Sequence, residues 1–337
     1  MRFRKGCSLG VVLGVALGGA AVFIGVAGAA ETPSPALLVL NKADQTLAII
    51  DPASGRVIAR VAVGEGPHEV TVSTDGRFAY VGNYGQQKPG NTISVIDLPA
   101  QAELHRVDLG PLERPHGMLF VDGKVYFTAE LNRLVARYDP VANKVDWLFG
   151  TGQATTHMVI ANADASLIFT ANIGSNSVSA IERADGPAGW TETVIPVGKG
   201  PEGIDWSPDG KEVWTATGGD GGVSIINVAS KKVTETLTVG TKRTNRLKFT
   251  PDGKLVLLSD RDGDELVVLD RATRKERARL KMGRYPEGIQ MTPDGLRAYV
   301  AQEGANDIAI IDLKTLTVSG HISPGNGPDG MAWAVRK

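Results

Sequence analysis

Three of the chain's five histidines, His68, His116 and His157, occupy matching places in recurring segments: GPHEVTVSTDG, RPHGMLFVDG and TTHMVIANAD. The same place in the other copies holds Glu202, Asn245, Glu287 and Asp329. Imidazoles and carboxylates brought to one small volume would repel or shift each other's proton affinities unless a cation or a substrate neutralised them. His68, His116 and His157 with a carboxylate suit zinc, copper or another transition ion, and the carboxylates alone suit magnesium or calcium, so one divalent ion is the expected cofactor. Glu202, Asn245, Glu287 and Asp329 would complete a ligand-binding ring. The blander reading is a wet channel whose polar lining needs only hydration.

A second position, at the end of the next apolar run, reads Asn41, Asn83, Glu130, Asn172, Thr217, Asp260 and Gln302. Asn at such a place bonds the backbone of a turn. Glu130 and Asp260 depart from that pattern, and Asp260 joins the candidate ring. His116 and Glu130 stand at adjacent ends of one hairpin in PHGMLFVDGKVYFTAE.

The elements that position these residues repeat every forty to forty-five residues. Each copy holds four short β-rich runs, the first two joined by Asp-Gly or a similar turn, because glycine accepts the positive φ of a tight hairpin. Helical spacing of apolar residues is sustained nowhere after the first thirty residues. Four strands at this period make one propeller blade. Full copies begin near residues 66, 114, 155, 200, 244 and 285. Leu37–Gly64 supplies only the last three strands of a copy and GPDGMAWAVRK only the first. The fold is therefore predicted as all-β, a seven-bladed β-propeller whose first blade is closed by N-terminal strands plus the C-terminal strand. Innermost strands line the channel, and antiparallel pairing puts both polar rings on one face.

The blocks FAYVGN (78–83), FTANIGSNSVSAIE (169–182) and RAYVAQ (297–302) resemble the YVTN repeat of bacterial and archaeal surface and periplasmic propellers. That resemblance implies the fold; such proteins include enzymes, binding modules and adhesins. The PHG…FTAE stretch of blade 3 resembles the repeat of streptogramin lyases, and also propeller lactonases and cycloisomerases. By position, the resemblance implies a general acid or base at His116 and a metal ligand or proton carrier at Glu130, beside a magnesium ion.

Residues 1–30 read as a secretory signal: basic Arg2, Arg4 and Lys5, an apolar run from Leu9 to Ala27, then small residues before Glu31. An uncleaved anchor is the alternative. Residues 31–337 form one expected domain, periplasmic or secreted, with no further membrane span. Cys7 is the only cysteine, so the exported part has neither a disulfide nor a thiolate metal site. Removing three basic residues from a net charge of −1 leaves −4, which gives no argument for nucleic acid. A basic run in blade 6, from Arg271 to Lys281, reads as a guard on an exposed edge strand, with an anionic partner as the alternative. The loop Gly85–Asn91 could serve as a lid or partner contact. The expectation is a monomeric binding module with a small-molecule or protein partner at the ring face. A metal-dependent lyase or lactonase and a structural or adhesive surface protein are the alternatives.

Overall fold

The computed structural model describes residues 30–185 and 189–337. The expected signal segment falls outside them, save for Ala30. Residues Glu31–Lys337 form one compact unit.

Alternating apolar residues and Asp-Gly turns fold as their pattern requires. Seven four-stranded antiparallel sheets form, each the blade of a propeller. The first blade takes its innermost strand, Pro328–Ala334, from the C-terminus and its second, Ala36–Asn41, from the N-terminus. These pair through Leu37–Trp333, Leu38–Ala332 and Val39–Met331. Ala36 through Leu40 have no solvent exposure, so the seam between chain ends is as buried as any blade interior. Apolar side chains fill the space between neighbouring blades, such as Leu38, Val70, Val81 and Ala332 between blades 1 and 2. Closure leaves no innermost edge open to another chain.

Arg271 and Arg274 of the basic run of blade 6 are paired within the chain. Arg271 donates to Asp209 at 2.9 Å and to Glu212 at 3.1 Å, and Arg274 pairs with Glu212 while lying over Trp214, 4.8 Å from the ring centre. These arginines join blade 6 to blade 5. Gly85–Asn91 forms the tip of a hairpin between strands Phe78–Gly85 and Pro89–Asp97. No helix among the described residues is long and apolar enough to cross a membrane.

Each innermost strand carries a register shift at the ring position. In blade 2, Pro67 pairs with Asn83 and the next pair is Val70 with Val81. His68 and Glu69 thus face a single partner residue, a bulge that turns side chains into the channel. The same shift occurs between Pro115 and Met118, Pro201 and Ile204, Thr244 and Leu247, and Pro286 and Ile289. Glycine follows the ring residue at Gly117, Gly203, Gly288 and Gly330. A Cβ on Gly117 would lie 2.7 Å from the His157 carbonyl oxygen, so glycine permits the next blade's close approach.

Candidate functional site

The mouth of the channel is a cavity of about 210 Å³ that His68, His116, His157, Glu202, Glu287 and Asp329 all line. Six of the seven ring residues meet at this mouth, whereas Asn245 is wholly buried and donates to Glu287.

The three imidazoles form a stack. The His116 and His157 ring centres are 3.7 Å apart with a 30° tilt, and His68 stands 5.1 Å from His116. Tyr84 meets His68 and His116 edge-on, at 4.7 and 5.4 Å. Rings stacked face to face at this distance hold their nitrogens in separate planes, 30° apart for His116 and His157 and 40° apart for His68 and His116. Among the described residues, no three His, Cys, Asp or Glu side chains form a group arranged to hold a metal ion.

Glu130 pairs with His157, not with His116. Its Oε2 lies 3.1 Å from His157 Nδ1, and its Oε1 accepts the Tyr84 hydroxyl at 3.1 Å. Hairpin adjacency pointed to His116 because both lie on blade 3, whereas the stagger between blades brings the imidazole of blade 4 over Glu130. Thr128 fixes this crossing: its hydroxyl accepts the Gly117 N–H at 2.9 Å and donates to the His157 carbonyl at 2.6 Å. A carboxylate at Nδ1 selects the tautomer protonated there and leaves Nε2 with its lone pair. His157 Nε2 and His116 Nδ1 are buried without a hydrogen-bond partner, and Glu202 Oε1 is 3.8 Å from His157 Nε2.

Asp260 also departs from the expectation. Its carboxylate accepts the backbone N–H groups of Lys242, Arg243 and Gly263 at 2.9, 2.8 and 3.1 Å. It holds the turn entering blade 6, as Asn83 holds the turn entering blade 2 through Gly64. Asp260 is therefore a structural member of the second ring and not a lining residue of the cavity.

The cations that neutralise the acids come from the chain itself. Lys42 pairs with Asp329 at 3.1 Å and Glu303 at 3.0 Å. Arg261 donates to Glu287 at 2.5 Å and Glu303 at 3.2 Å, and Arg243 to Glu202 at 3.4 Å. Arg246, 8% exposed along its side chain, donates to Glu69 at 2.7 Å. Asn245 donates to Glu287. Lys42, Tyr84, Arg261 and Glu303 each directly follow a second-ring residue, so shifting the repeat alignment by one position would have found them.

Burial lowers the proton affinity of two rings of the stack. It holds His116 well below the usual imidazole range, and the neighbouring His157 and His68 reinforce this. Burial also lowers His68, against the opposing pull of Asp329. Burial resists ionisation of Asp329, but Lys42 and the His68 hydrogen bond outweigh it and keep that carboxyl ionised. Burial, then the Glu130 carboxylate, raises the Tyr84 phenol. The mouth thus sets His68 and His116, both held below the usual imidazole range, among four carboxylates and four cations, a combination suited to proton transfer on a small polar molecule.

A family model described as YNCE-like beta-propeller matches residues 7–194, and one described as Lactonase, 7-bladed beta-propeller, matches residues 150–324. No curated protein matches the chain. Among solved structures, a periplasmic gluconolactonase of Pseudomonas aeruginosa superposes with a TM-score of 0.73 at 16% identity, over 90% of this chain and 100% of that one. A functionally unknown protein from Desulfotomaculum acetoxidans gives 0.75 at 12% identity, over 90% and 100%. Hydrazine synthase from Kuenenia stuttgartiensis gives 0.68 at 18%, over 80% and 93%. At these identities the likeness is one of fold.

Proposed function

The chain belongs to the YNCE-like β-propellers and to the seven-bladed lactonase propellers, and on that footing we propose that the channel mouth binds a small lactone and opens it to the hydroxy acid. The observation that carries this reading is the Glu130–His157 pair, with Nε2 left unpartnered beside a cavity lined by both cations and carboxylates. His157 Nε2 takes a proton from water as the oxygen adds to the lactone carbonyl carbon. The resulting oxyanion develops beside the guanidinium of Arg243, whose side chain is 41% exposed and reaches the same Glu202 that borders Nε2. Collapse breaks the ring C–O bond, and the imidazolium returns its proton to the leaving oxygen. Glu130 stabilises the imidazolium between these two transfers, and Tyr84 keeps Glu130 in place. The neighbour named a gluconolactonase supports a sugar lactone as the first substrate to try, and neither family description names a lyase.

Opening of glucono-δ-lactone followed in a pH-stat tests this. The wild-type protein should exceed the buffer rate, and His157→Gln should reduce kcat/KM by about 100-fold or more, the usual worth of a general base. A wild-type rate equal to buffer, or an unimpaired His157→Gln variant, would overturn the reading.

A second reading, a divalent ion on His68, His116 and His157, draws on the two unpartnered imidazole nitrogens. It requires at least one stacked ring to turn. Elemental analysis separates the two readings, since the ion reading demands one equivalent of metal and the acid–base reading none. We also propose export, from the layout of residues 1–30; sequencing of protein recovered from the periplasm should begin near Glu31.

A further inference from the structure

The layer of side chains just below the imidazole stack is nearly empty. The residues that follow the ring positions are Glu69, Gly117, Met158, Gly203, Arg246, Gly288 and Gly330. Only Glu69 and Arg246 are long and charged, and they meet across the channel from blades 2 and 6 at 2.7 Å. Arg246 borders both the mouth and a second chamber of about 380 Å³ further down the channel. Glu69 borders only the lower chamber, whose mixed walls set Leu119, Ile289, Met331 and Ala332 beside Thr71, Lys248 and Gln290. Arg246 Nη1 is buried without a hydrogen-bond partner, and Arg246 reaches Asp329 only at 3.9 Å.

We propose that the Glu69–Arg246 ion pair is the floor of the mouth site and sets the length of ligand it accepts, with the lower chamber as a latent compartment for an apolar tail. The proposal rests on the reading of the mouth as a small-molecule site. With glycine at four of the seven positions in this layer, no other charged pair among the described residues spans the channel at this depth. A ligand that enters the mouth past the ion pairs of Lys42, Arg243 and Arg261 ends at this pair. Removing both charges joins the chambers without stranding an unpaired ion in the interior, which the loss of one partner alone would do.

The test uses straight-chain carboxylates from acetate to decanoate, titrated into the mature protein by calorimetry. Wild type should bind the short members and lose affinity once the chain exceeds the mouth. The double variant Glu69→Ala/Arg246→Ala should instead gain affinity with length, by roughly two- to fourfold for each methylene entering the lower chamber. Glu69→Gln keeps an acceptor for Arg246 and should keep the wild-type length limit, which also guards against a double variant that fails to fold. Short acids that bind both proteins with no gain for long ones in the double variant would overturn the floor while sparing the mouth reading. So would a Glu69→Gln protein that accepts long chains as the double variant does. Absence of binding at every length in every variant would overturn the mouth reading and the floor with it.

Discussion

Replacing His116 with Phe should flatten the acid side of the protein's stability profile. The ring would still stack on His157, 3.7 Å away in the native structure, but could take no proton. His116 is 2% exposed, its proton affinity is lowered first by burial and then by His157 and His68, and Arg246 and Lys42 add to the effect. A group whose affinity is depressed by folding contributes stability that is present above the unfolded value, near pH 6.5, and is lost as pH falls. Between pH 6.5 and 5.0 the unfolded chain gains most of a proton that the folded His116 refuses. For a ring that takes up no proton in the fold, the linkage integral over this interval has a ceiling of about 1.5 kcal/mol, or about 3 °C in Tm for a domain of this size. The window lies above the range in which the carboxylates held low, such as Asp329, titrate. Thermal unfolding by circular dichroism at several pH values should show the wild-type Tm falling further than that of His116→Phe over this interval, by up to about 3 °C. Parallel curves would refute the argument that burial keeps His116 from taking a proton.

Two other changes probe the frame. Gly117→Ala would set a Cβ 2.7 Å from the His157 carbonyl oxygen and the Val159 nitrogen, so the backbone of blade 4 must move. It should lower stability by about 1–3 kcal/mol in urea unfolding and impair lactone opening together. Deleting Pro328–Lys337 removes the innermost strand of blade 1, with Met331, Ala332 and Ala334 of its core. Insolubility or a large fall in Tm should follow, and a soluble monomer of unchanged Tm would count against closure by the chain ends.

Fold and ring were legible in the sequence because both rest on local chemistry repeated seven times. Asp-Gly turns announce hairpins, and the residue after Pro67, Pro115, Pro201, Pro286 and Pro328 marks the mouth in each copy. Partner choice was not legible. Pairing Glu130 with His157 depends on the stagger between blades, fixed by Gly117 and Thr128, which no single repeat contains. Neutralisation by Lys42, Arg243, Arg246 and Arg261 was missed for a related reason. Each lies one or two positions away from an aligned ring residue, and the bulges that turn Glu69 and Arg246 into the channel leave no residue type as their mark. Asp260 shows the converse: a carboxylate unusual for its column still performs the column's ordinary task of holding a turn.

The central claim is that a small hydroxy acid or its lactone occupies the channel mouth against the imidazole stack. Nitrogen-15 labelling of the five histidines and titration with gluconate tests it most directly. His105 and His321 lie on outer strands, away from the mouth, and serve as internal controls. Ligand-dependent shifts at His157 and His116, whose Nε2 and Nδ1 are unpartnered, with His105 and His321 unmoved, are the predicted result. Shifts confined to His105 or His321, or none at any histidine with saturating gluconate, would contradict it.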